Sequence, residues 1–169
     1  YDGIGIIEFH NAVLLLEQLH YDYIYHEHLF YFTLTTIDYL LNKHSLNLFD
    51  IMESPISGGS WVVYFSKGQR VKTETLKNAQ RHNVEQNDKH YNKWMEFAVN
   101  TKNHAEKLSS IVKKEVRKNG KIIAYGASAR SSTLLNYCGL TSDHISVVID
   151  KNPLKHGLVT AGSNIPIAS

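Results

Sequence analysis

Apolar and polar positions along the first third of the chain follow two different periods. The run Gly3–Phe9 is short and β-branched, which predicts a buried strand. A helix is predicted to follow over Asn11–Leu19, with the Asn11 side chain as its N-cap. Thr35 is predicted to cap a second helix, which passes through Ile37, Leu40 and Leu41 and ends near Lys43 or His44.

Two further apolar runs predict a pair of strands. Leu46–Met52 and Ser60–Phe65 are separated by a Ser-Pro pair and by Ser57-Gly58-Gly59, which are turn-forming residues. A connection of this kind favours an antiparallel pair at the edge of a sheet.

The pattern changes from Lys67 onward. Residues 67–90 are polar and are interpreted as a linker that leads into a helix. Apolar residues then recur at steps of three and four, which predicts a long amphipathic helix ending at Asn119-Gly120. A domain boundary is therefore predicted within residues 67–99.

The last third of the chain predicts an α/β unit. Ile122–Tyr125 is a strand, residues 126–129 are a tight turn and Ser131–Tyr137 is a helix, followed by a strand over Ile145–Ile149. This order is the opening strand, turn and helix of a Rossmann-like, dinucleotide-type unit.

Composition excludes several classes of protein. The 169 residues are 43% hydrophobic, enough for a packed core, and the net charge of +2 gives no electrostatic argument for a nucleic-acid or membrane partner. A single cysteine, Cys138, excludes an internal disulfide framework and suits a reducing cytoplasm. No apolar stretch approaches the roughly 20 residues of a membrane span. The chain enters an apolar run within a few residues of Tyr1, which suggests a piece of a longer protein.

The tetrapeptide Tyr25-His26-Glu27-His28 is the best candidate for chemistry. It lies in an aromatic run from Tyr21 to Phe32, and an imidazole has an unperturbed pKa of about 6.5, so it can accept a proton near neutral pH. If the run were extended, His26 and His28 would share one face, a spacing also found in metal sites. The third ligand would then have to come from His10, His20 or His44, and nothing in the sequence fixes their distances. Most of the aromatic rings are expected to pack in a core.

The start of the predicted helix after residue 128 is a candidate anion site. It combines free backbone N–H groups, the Arg130 guanidinium and four hydroxyls, which favour a phosphate. Asp150 lies 24 residues after Gly126, near the position where an acid accepts hydrogen bonds from sugar hydroxyls in nucleotide-binding sheets. However, the turn has one glycine where the full fingerprint has three, and such hydroxyls are commonly helix caps. Lys155 could meet a phosphate or face solvent. The hydroxyls belong to Ser128, Ser131, Ser132 and Thr133.

Five separated motifs, together with the closing Ile-Pro-Ile, resemble the C-terminal part of the S-adenosylmethionine-dependent sugar C-methyltransferases, which make branched deoxysugars. The resemblance spans nearly the whole chain, in the order of the family. The runs are YDYIYHEHLFYF at 21–32, GGS at 58–60, YGASAR at 125–130, TLLNYCG at 133–139, DKNPLKHG at 150–157 and IPI at 165–167.

This resemblance implies a domain order and a set of cofactors. Residues 1 to about 66 would close a methyltransferase domain, residues 67–99 would be a linker and the start of a long helix, and residues 100–169 would form a Rossmann-like domain for the nucleotide-linked sugar. Most of the site for S-adenosylmethionine, and a structural zinc module, are expected upstream of Tyr1. No metal site is expected within the chain itself.

The resemblance also implies residue roles. His28 would be the general base that removes a proton next to a ketone, with Tyr25 and Glu27 positioning the sugar or orienting the imidazole. Where the family commonly reads Ala-Lys-Gly-Asn-Thr, this chain has Ala129-Arg130-Ser131-Ser132-Thr133, and Trp61-Val62-Val63 follows Ser60 where an arginine is usual two residues after the serine. The residues expected to bind substrate are His26, Gly58, Gly59, Ser60, Gly126, Ser128, Arg130, Ser131, Thr133, Asn136, Asp150 and Lys155.

Two alternative functions remain open on the residues alone. The strand, the turn and Asp150 are compatible with a nicotinamide-dependent sugar oxidoreductase or epimerase. A non-catalytic module that binds a nucleotide-sugar or a partner is the other.

Overall fold

The computed structural model describes residues 3–86 and 90–169. The described residues form five α-helices and six β-strands, and the predicted α/β class is confirmed. The helices are α1 (Ala12–Glu17), α2 (Leu34–Lys43), α3 (Glu74–Gln86), α4 (His90–Asn119) and α5 (Ala129–Tyr137); the strands are β1 (Ile4–His10), β2 (Asn47–Ser54), β3 (Ser60–Ser66), β4 (Ile122–Tyr125), β5 (Ile145–Ile149) and β6 (Ile167–Ala168).

The described chain divides into two compact units. The first unit contains the chain up to Leu19 together with Phe30–Glu96. The second unit contains His20–Leu29 and Phe97–Ser169. The aromatic run with the His-Glu-His residues is thereby split, and its first part contacts residues that follow it by 83 to 117 positions. The predicted domain limits near residues 66 and 99 stay a prediction about the longer protein.

An antiparallel sheet in the order β1-β3-β2 forms the first unit. The predicted pairing of the second and third strands is confirmed, but β3 lies in the middle of the sheet because it also pairs with β1. Val63 is fully buried at the centre, opposite Ile7 on one side and Ile51 on the other. The buried core of this unit consists of Leu34, Ile37, Leu41, Leu48, Ile51, Val63 and Leu76.

The helix caps of this unit follow local side-chain chemistry. Asn11 caps α1 as predicted, because its side-chain oxygen accepts a hydrogen bond from the Val13 N–H at 2.9 Å. The predicted cap of α2 at Thr35 is wrong. Thr33 is the N-cap, and it forms a capping box with Thr36 in which each hydroxyl accepts the other residue's backbone N–H. The helix starts earlier because Leu34 is buried in the core.

The polar stretch interpreted as a linker contains α3. Its sequence carries little apolar periodicity, yet Leu76 is fully buried in the first core. Thr73 holds the start of this helix, since its hydroxyl donates to Asp50 at 2.6 Å and accepts from the Leu76 N–H.

A parallel sheet in the order β4-β5-β6 forms the second unit together with α5 and the greater part of α4. The predicted strands and the long helix are confirmed. Gly120 ends α4 with φ of +81°, and its N–H reaches the Val116 carbonyl at 2.9 Å. The buried core of this unit consists of Ala105, Val112, Ala127, Leu135, Cys138, Leu140, Ile145, Val148, Ile165 and Ile167.

No helix in the described part of the chain is both long and apolar enough to cross a membrane.

Candidate functional site

The His-Glu-His segment, residues 21–28, is a series of tight turns. Tyr21–Tyr23 form a 3-10 turn, and the His28 N–H reaches back to the Tyr25 carbonyl at 3.0 Å. The extended arrangement that would put His26 and His28 on one face of a strand is therefore not formed. Within residues 3–86 and 90–169, no group of three or more His, Cys, Asp or Glu side chains lies close enough to hold a metal ion.

The turns bring Tyr25 and His28 together. The Tyr25 hydroxyl lies 2.9 Å from His28 Nε2, and the two rings meet edge to face with centroids 4.7 Å apart. A neutral imidazole carries one N–H and one lone pair, so this pair combines a proton acceptor with a phenol that can donate or accept. His28 and Tyr25 are both partly buried, whereas His26 and Glu27 are exposed. The segment thus presents an imidazole that is oriented by a neighbour and still partly open to solvent.

Tyr21 anchors the start of the segment within the second unit. Its hydroxyl lies 2.9 Å from His104 Nδ1 and 3.8 Å from Cys138 Sγ, and its ring packs against Tyr137 at 5.3 Å between centroids. Burial is the main cause that raises the pKa of the Tyr21 phenol and also the pKa of the Cys138 thiol. Both groups therefore stay protonated near neutral pH, and Tyr21 acts as an uncharged anchor.

Arg130 at the start of α5 anchors the middle of the segment. Its Nε and Nη2 atoms each lie 2.7 Å from Oδ2 of Asp22, and its Nη1 donates to the Tyr23 hydroxyl at 2.7 Å. The guanidinium also lies over the Tyr23 ring, 3.8 Å from the centroid. The side chain predicted to meet a phosphate thus contacts the His-Glu-His segment, and its role towards phosphate stays a prediction.

The hydroxyls at the start of α5 contact the helix backbone. Ser128 and Ser131 form a capping box, in which Ser128 Oγ accepts the Ser131 N–H at 3.1 Å and Ser131 Oγ accepts the Ser128 N–H at 2.8 Å. The hydroxyls of Ser132 and Thr133 both donate to backbone carbonyls one turn earlier, at 3.4 Å. Of the two interpretations of these residues, the capping one describes the observed contacts.

Asp150 organises the turn that follows β4. Its carboxylate accepts the Ala127 N–H at 2.7 Å and the Asn152 N–H at 2.8 Å. These two backbone hydrogen bonds are the largest causes that lower the pKa of Asp150. Gly126 adopts φ of +92° in the same turn, and its N–H bonds to the Ile149 carbonyl at 2.7 Å. Lys155 completes the arrangement by donating to the Ala127 carbonyl at 2.7 Å.

Asn136 faces a neighbouring loop of the second unit. Its amide donates to the carbonyls of Ser132 and Ala161, at 2.7 and 2.8 Å. A side chain at Gly162, which has φ of +76°, would overlap this amide.

The Gly58-Gly59-Ser60 motif lies in the first unit. Gly59 adopts φ of +125°, and a Cβ at this position would overlap the Leu14 side chain. Ser60 is buried and its hydroxyl donates to the Ile56 carbonyl at 3.0 Å. These three residues shape a turn that receives α1. The other predicted site residues all belong to the second unit.

The sequence does not identify three residues that contact this site. They are Asp22, Tyr23 and His104. Asp22 is an acid within an aromatic run, which is a weak local signal, but its partner Arg130 is 108 positions away. No spacing rule connects residues so far apart in the sequence.

Comparisons with known proteins identify a family for this chain. Residues 55–169 match the family described as the C-methyltransferase C-terminal domain. The chain is also similar to C-methyltransferase NovU of Streptomyces niveus, with 29% identity over 174 residues that cover 99% of this chain and 40% of that protein. The chain thus spans about two fifths of the length of this curated relative. Since the family match covers well over half of its length, the chain belongs to the C-methyltransferase C-terminal domain family.

Proposed function

We propose that the protein containing this chain transfers a methyl group from S-adenosylmethionine to a carbon atom of a nucleotide-linked keto-deoxysugar, with His28 as the general base. The observation that carries the proposal is the Tyr25–His28 pair, in which an imidazole nitrogen lies 2.9 Å from a phenol oxygen in a segment anchored by two separate sets of contacts.

A ketone next to the accepting carbon acidifies its C–H bond. In the proposed reaction His28 removes this proton and becomes an imidazolium, and the enolate carbon would take the methyl group as the C–S bond of the donor breaks and S-adenosylhomocysteine leaves. General base catalysis of this kind is typically worth about 10²–10⁴ in rate. In this proposal the His28 Nε2–H donates to the Tyr25 hydroxyl oxygen, which holds the ring and leaves Nδ1 as the nitrogen that accepts the proton. Glu27 and His26 are exposed beside this pair and are proposed to contact the sugar.

S-adenosylmethionine would supply a sulfonium methyl group as the electrophile. The glycine pair at residues 58 and 59 does not suit the donor, because Leu14 Cδ1 occupies the space over Gly59 and Ser60 is buried against Ile56. We therefore assign no residue of this chain to the methyl donor, and the roles proposed for its residues concern only the nucleotide-linked sugar and the proton.

The nucleotide of the substrate is proposed to bind near the turn after β4 in the second unit. Supporting this, nothing lies within 4 Å of the place where a Cβ would stand at Gly126, which leaves its backbone accessible to a ligand, and Asp150 and Lys155 hold that turn in place. In a nicotinamide-dependent oxidoreductase, an acid at the Asp150 position would accept from ribose hydroxyls. The Asp150 carboxylate already accepts two backbone N–H groups and the Lys155 ammonium, which weighs against that alternative.

The test uses the full-length protein, a nucleotide-linked 4-keto-deoxysugar and S-adenosylmethionine with a labelled methyl group. His28→Gln should abolish label transfer to the sugar. A second measurement isolates the proton step: in D₂O, with S-adenosylhomocysteine in place of the donor, the wild type should exchange deuterium into the carbon next to the ketone and His28→Gln should not.

The matched control is His44→Gln, which changes an exposed histidine of the first unit. It should leave both methyl transfer and deuterium exchange at the wild-type rate. Methyl transfer by His28→Gln at more than about one tenth of the wild-type rate would overturn the role of His28. Absence of any methyl transfer by the wild type to a panel of nucleotide-linked keto-sugars would overturn the proposed function as a whole.

A further inference from the structure

We propose that Arg130 is a positioning residue for His28 and acts through the Tyr23 ring; this inference rests on the proposed role of His28 as the base. It gives Arg130 a function different from phosphate binding. All of the contacts involved lie within the second unit.

The first step is the set of contacts that Arg130 makes with the His-Glu-His segment. Two of its nitrogens lie 2.7 Å from one carboxylate oxygen of Asp22, and a third donates to the Tyr23 hydroxyl at 2.7 Å. Because the guanidinium is planar, this fork fixes Asp22 and Tyr23 relative to the first turn of α5. The Asp22 side chain is 21% exposed and Tyr23 is 4% exposed, so both partners of Arg130 are largely shielded from solvent.

The second step passes from Tyr23 to the base. The face of the Tyr23 ring contacts the guanidinium at 3.8 Å, and the same ring meets the His28 imidazole edge to face, with centroids 6.3 Å apart and an interplanar angle of 87°. Tyr25 contacts the imidazole as well, 4.7 Å between centroids. His28 therefore packs against two phenol rings, and one of these rings, that of Tyr23, is in contact with Arg130. A turn segment without regular secondary structure needs such external contacts to hold a ring in one orientation.

The third step weighs this role against phosphate binding. The contacts of Arg130 already include a carboxylate that neutralises its charge, a phenol oxygen and an aromatic face. A phosphate would have to compete with the Asp22 carboxylate for the same fork of N–H donors. The two roles differ in the kinetic constant that they affect: a phosphate ligand contributes to substrate affinity, and a positioning residue contributes to the rate of proton removal.

The experiment measures kcat and KM for the nucleotide-linked sugar in full-length protein carrying Arg130→Gln, Arg130→Lys, Tyr23→Leu and the double change. Arg130→Gln should lower kcat by roughly 10- to 100-fold with little change in KM, since small misplacement of a reacting group has effects of this size. The kcat of Arg130→Lys should lie between those of the wild type and Arg130→Gln, because lysine keeps the positive charge beside Asp22 but lacks the planar guanidinium. In the Tyr23→Leu protein, Arg130→Gln should have little additional effect on kcat, since two residues that act in series are not additive.

Spectroscopy separates this proposal from the role of His28. In histidine-¹⁵N-labelled full-length protein, the imidazole signals of His28, assigned by their loss in His28→Gln, should shift in Arg130→Gln and remain in place in the control Arg117→Gln. Arg117 is an exposed arginine of α4 in the same unit. Arg117→Gln should also leave kcat and KM unchanged.

The outcomes are distinct. A raised KM with unchanged kcat in Arg130→Gln would mean that Arg130 binds the substrate, and would overturn the positioning role. Unchanged His28 signals and unchanged kcat would overturn it too, while leaving the proposed function intact if His28→Gln is still inactive. Methyl transfer by His28→Gln at more than about one tenth of the wild-type rate would instead overturn the role of His28 as the base, whatever Arg130→Gln does to the imidazole signals.

Discussion

Lys155 Nζ lies 3.4 Å from Asp150 Oδ2, and both side chains also bind the backbone of Ala127. Asp150 accepts the Ala127 N–H at 2.7 Å, and Lys155 donates to the Ala127 carbonyl at 2.7 Å. The turn after β4 is thus fixed by an ion pair whose members come from the loop after β5. Both residues are among those predicted from the sequence to bind substrate, and their observed contacts give them a role in shaping the turn.

The first prediction concerns acid stability. The pKa of Asp150 is lowered in the folded protein, so its contribution to stability is fully present above the unfolded value of about 3.8 and is lost as the pH falls through the folded value. Urea unfolding of the wild type and of Asp150→Asn, between pH 3 and pH 7, should show the wild type more stable near neutral pH and the difference shrinking towards pH 3. A difference that stays constant down to pH 3 would contradict this prediction.

The second prediction concerns Gly162. An alanine Cβ there would overlap the Asn136 side-chain amide, and the backbone has φ of +76°. Gly162→Ala should lower the free energy of unfolding by about 1–3 kcal/mol from backbone strain alone, with a further loss from displacing Asn136. The matched control is Gly157→Ala, with φ of +79° and nothing within 4 Å of the added Cβ. Equal losses in the two variants, measured by urea unfolding, would show that Asn136 makes no difference.

The third prediction concerns the single thiol. Cys138 is 5% exposed, and burial raises its pKa, so little thiolate is present near neutral pH. Reaction with an aromatic disulfide reagent should be slow in folded protein at pH 7.5 and fast in guanidinium chloride. Tyr21→Ala removes the phenol whose oxygen lies 3.8 Å from the sulfur, and should speed the folded-state reaction by opening the site. Fast labelling of the folded wild type would contradict the burial of this thiol.

The fourth prediction concerns His20, which precedes the 3-10 turn of the segment. Burial lowers its pKa below 6.5, with Asp22 opposing this change and Arg130 adding to it. Because the folded protein favours the neutral ring, the stability associated with His20 is present above about pH 6.5 and is lost as the pH falls below that value. His20→Gln should flatten the pH dependence of the unfolding free energy between pH 7 and pH 5, measured by urea unfolding. A slope equal to that of the wild type would contradict this prediction.

Local patterns were sufficient for most elements of the fold. The Asn11 cap, the strand pair at residues 46–65, the end of the long helix at Gly120 and the strand over Ile145–Ile149 all follow from signals within a few residues. The start of α2 was misplaced by two residues, because the burial of Leu34 chose between two neighbouring threonines. Helix α3 had no clear pattern in the sequence, and Leu76 and Ala79 pack against the first core from a largely polar helix.

The sequence by itself determined the motifs, the α/β class and the family, because these depend on short spacings and on residue identity. Only the tertiary structure decided that His20–Leu29 pack with the second unit and that Arg130 contacts Asp22 and Tyr23. The physical reason is distance along the chain. Contacts over roughly a hundred residues depend on the packing of α4 and α5 as a whole, and no local preference of either partner specifies them.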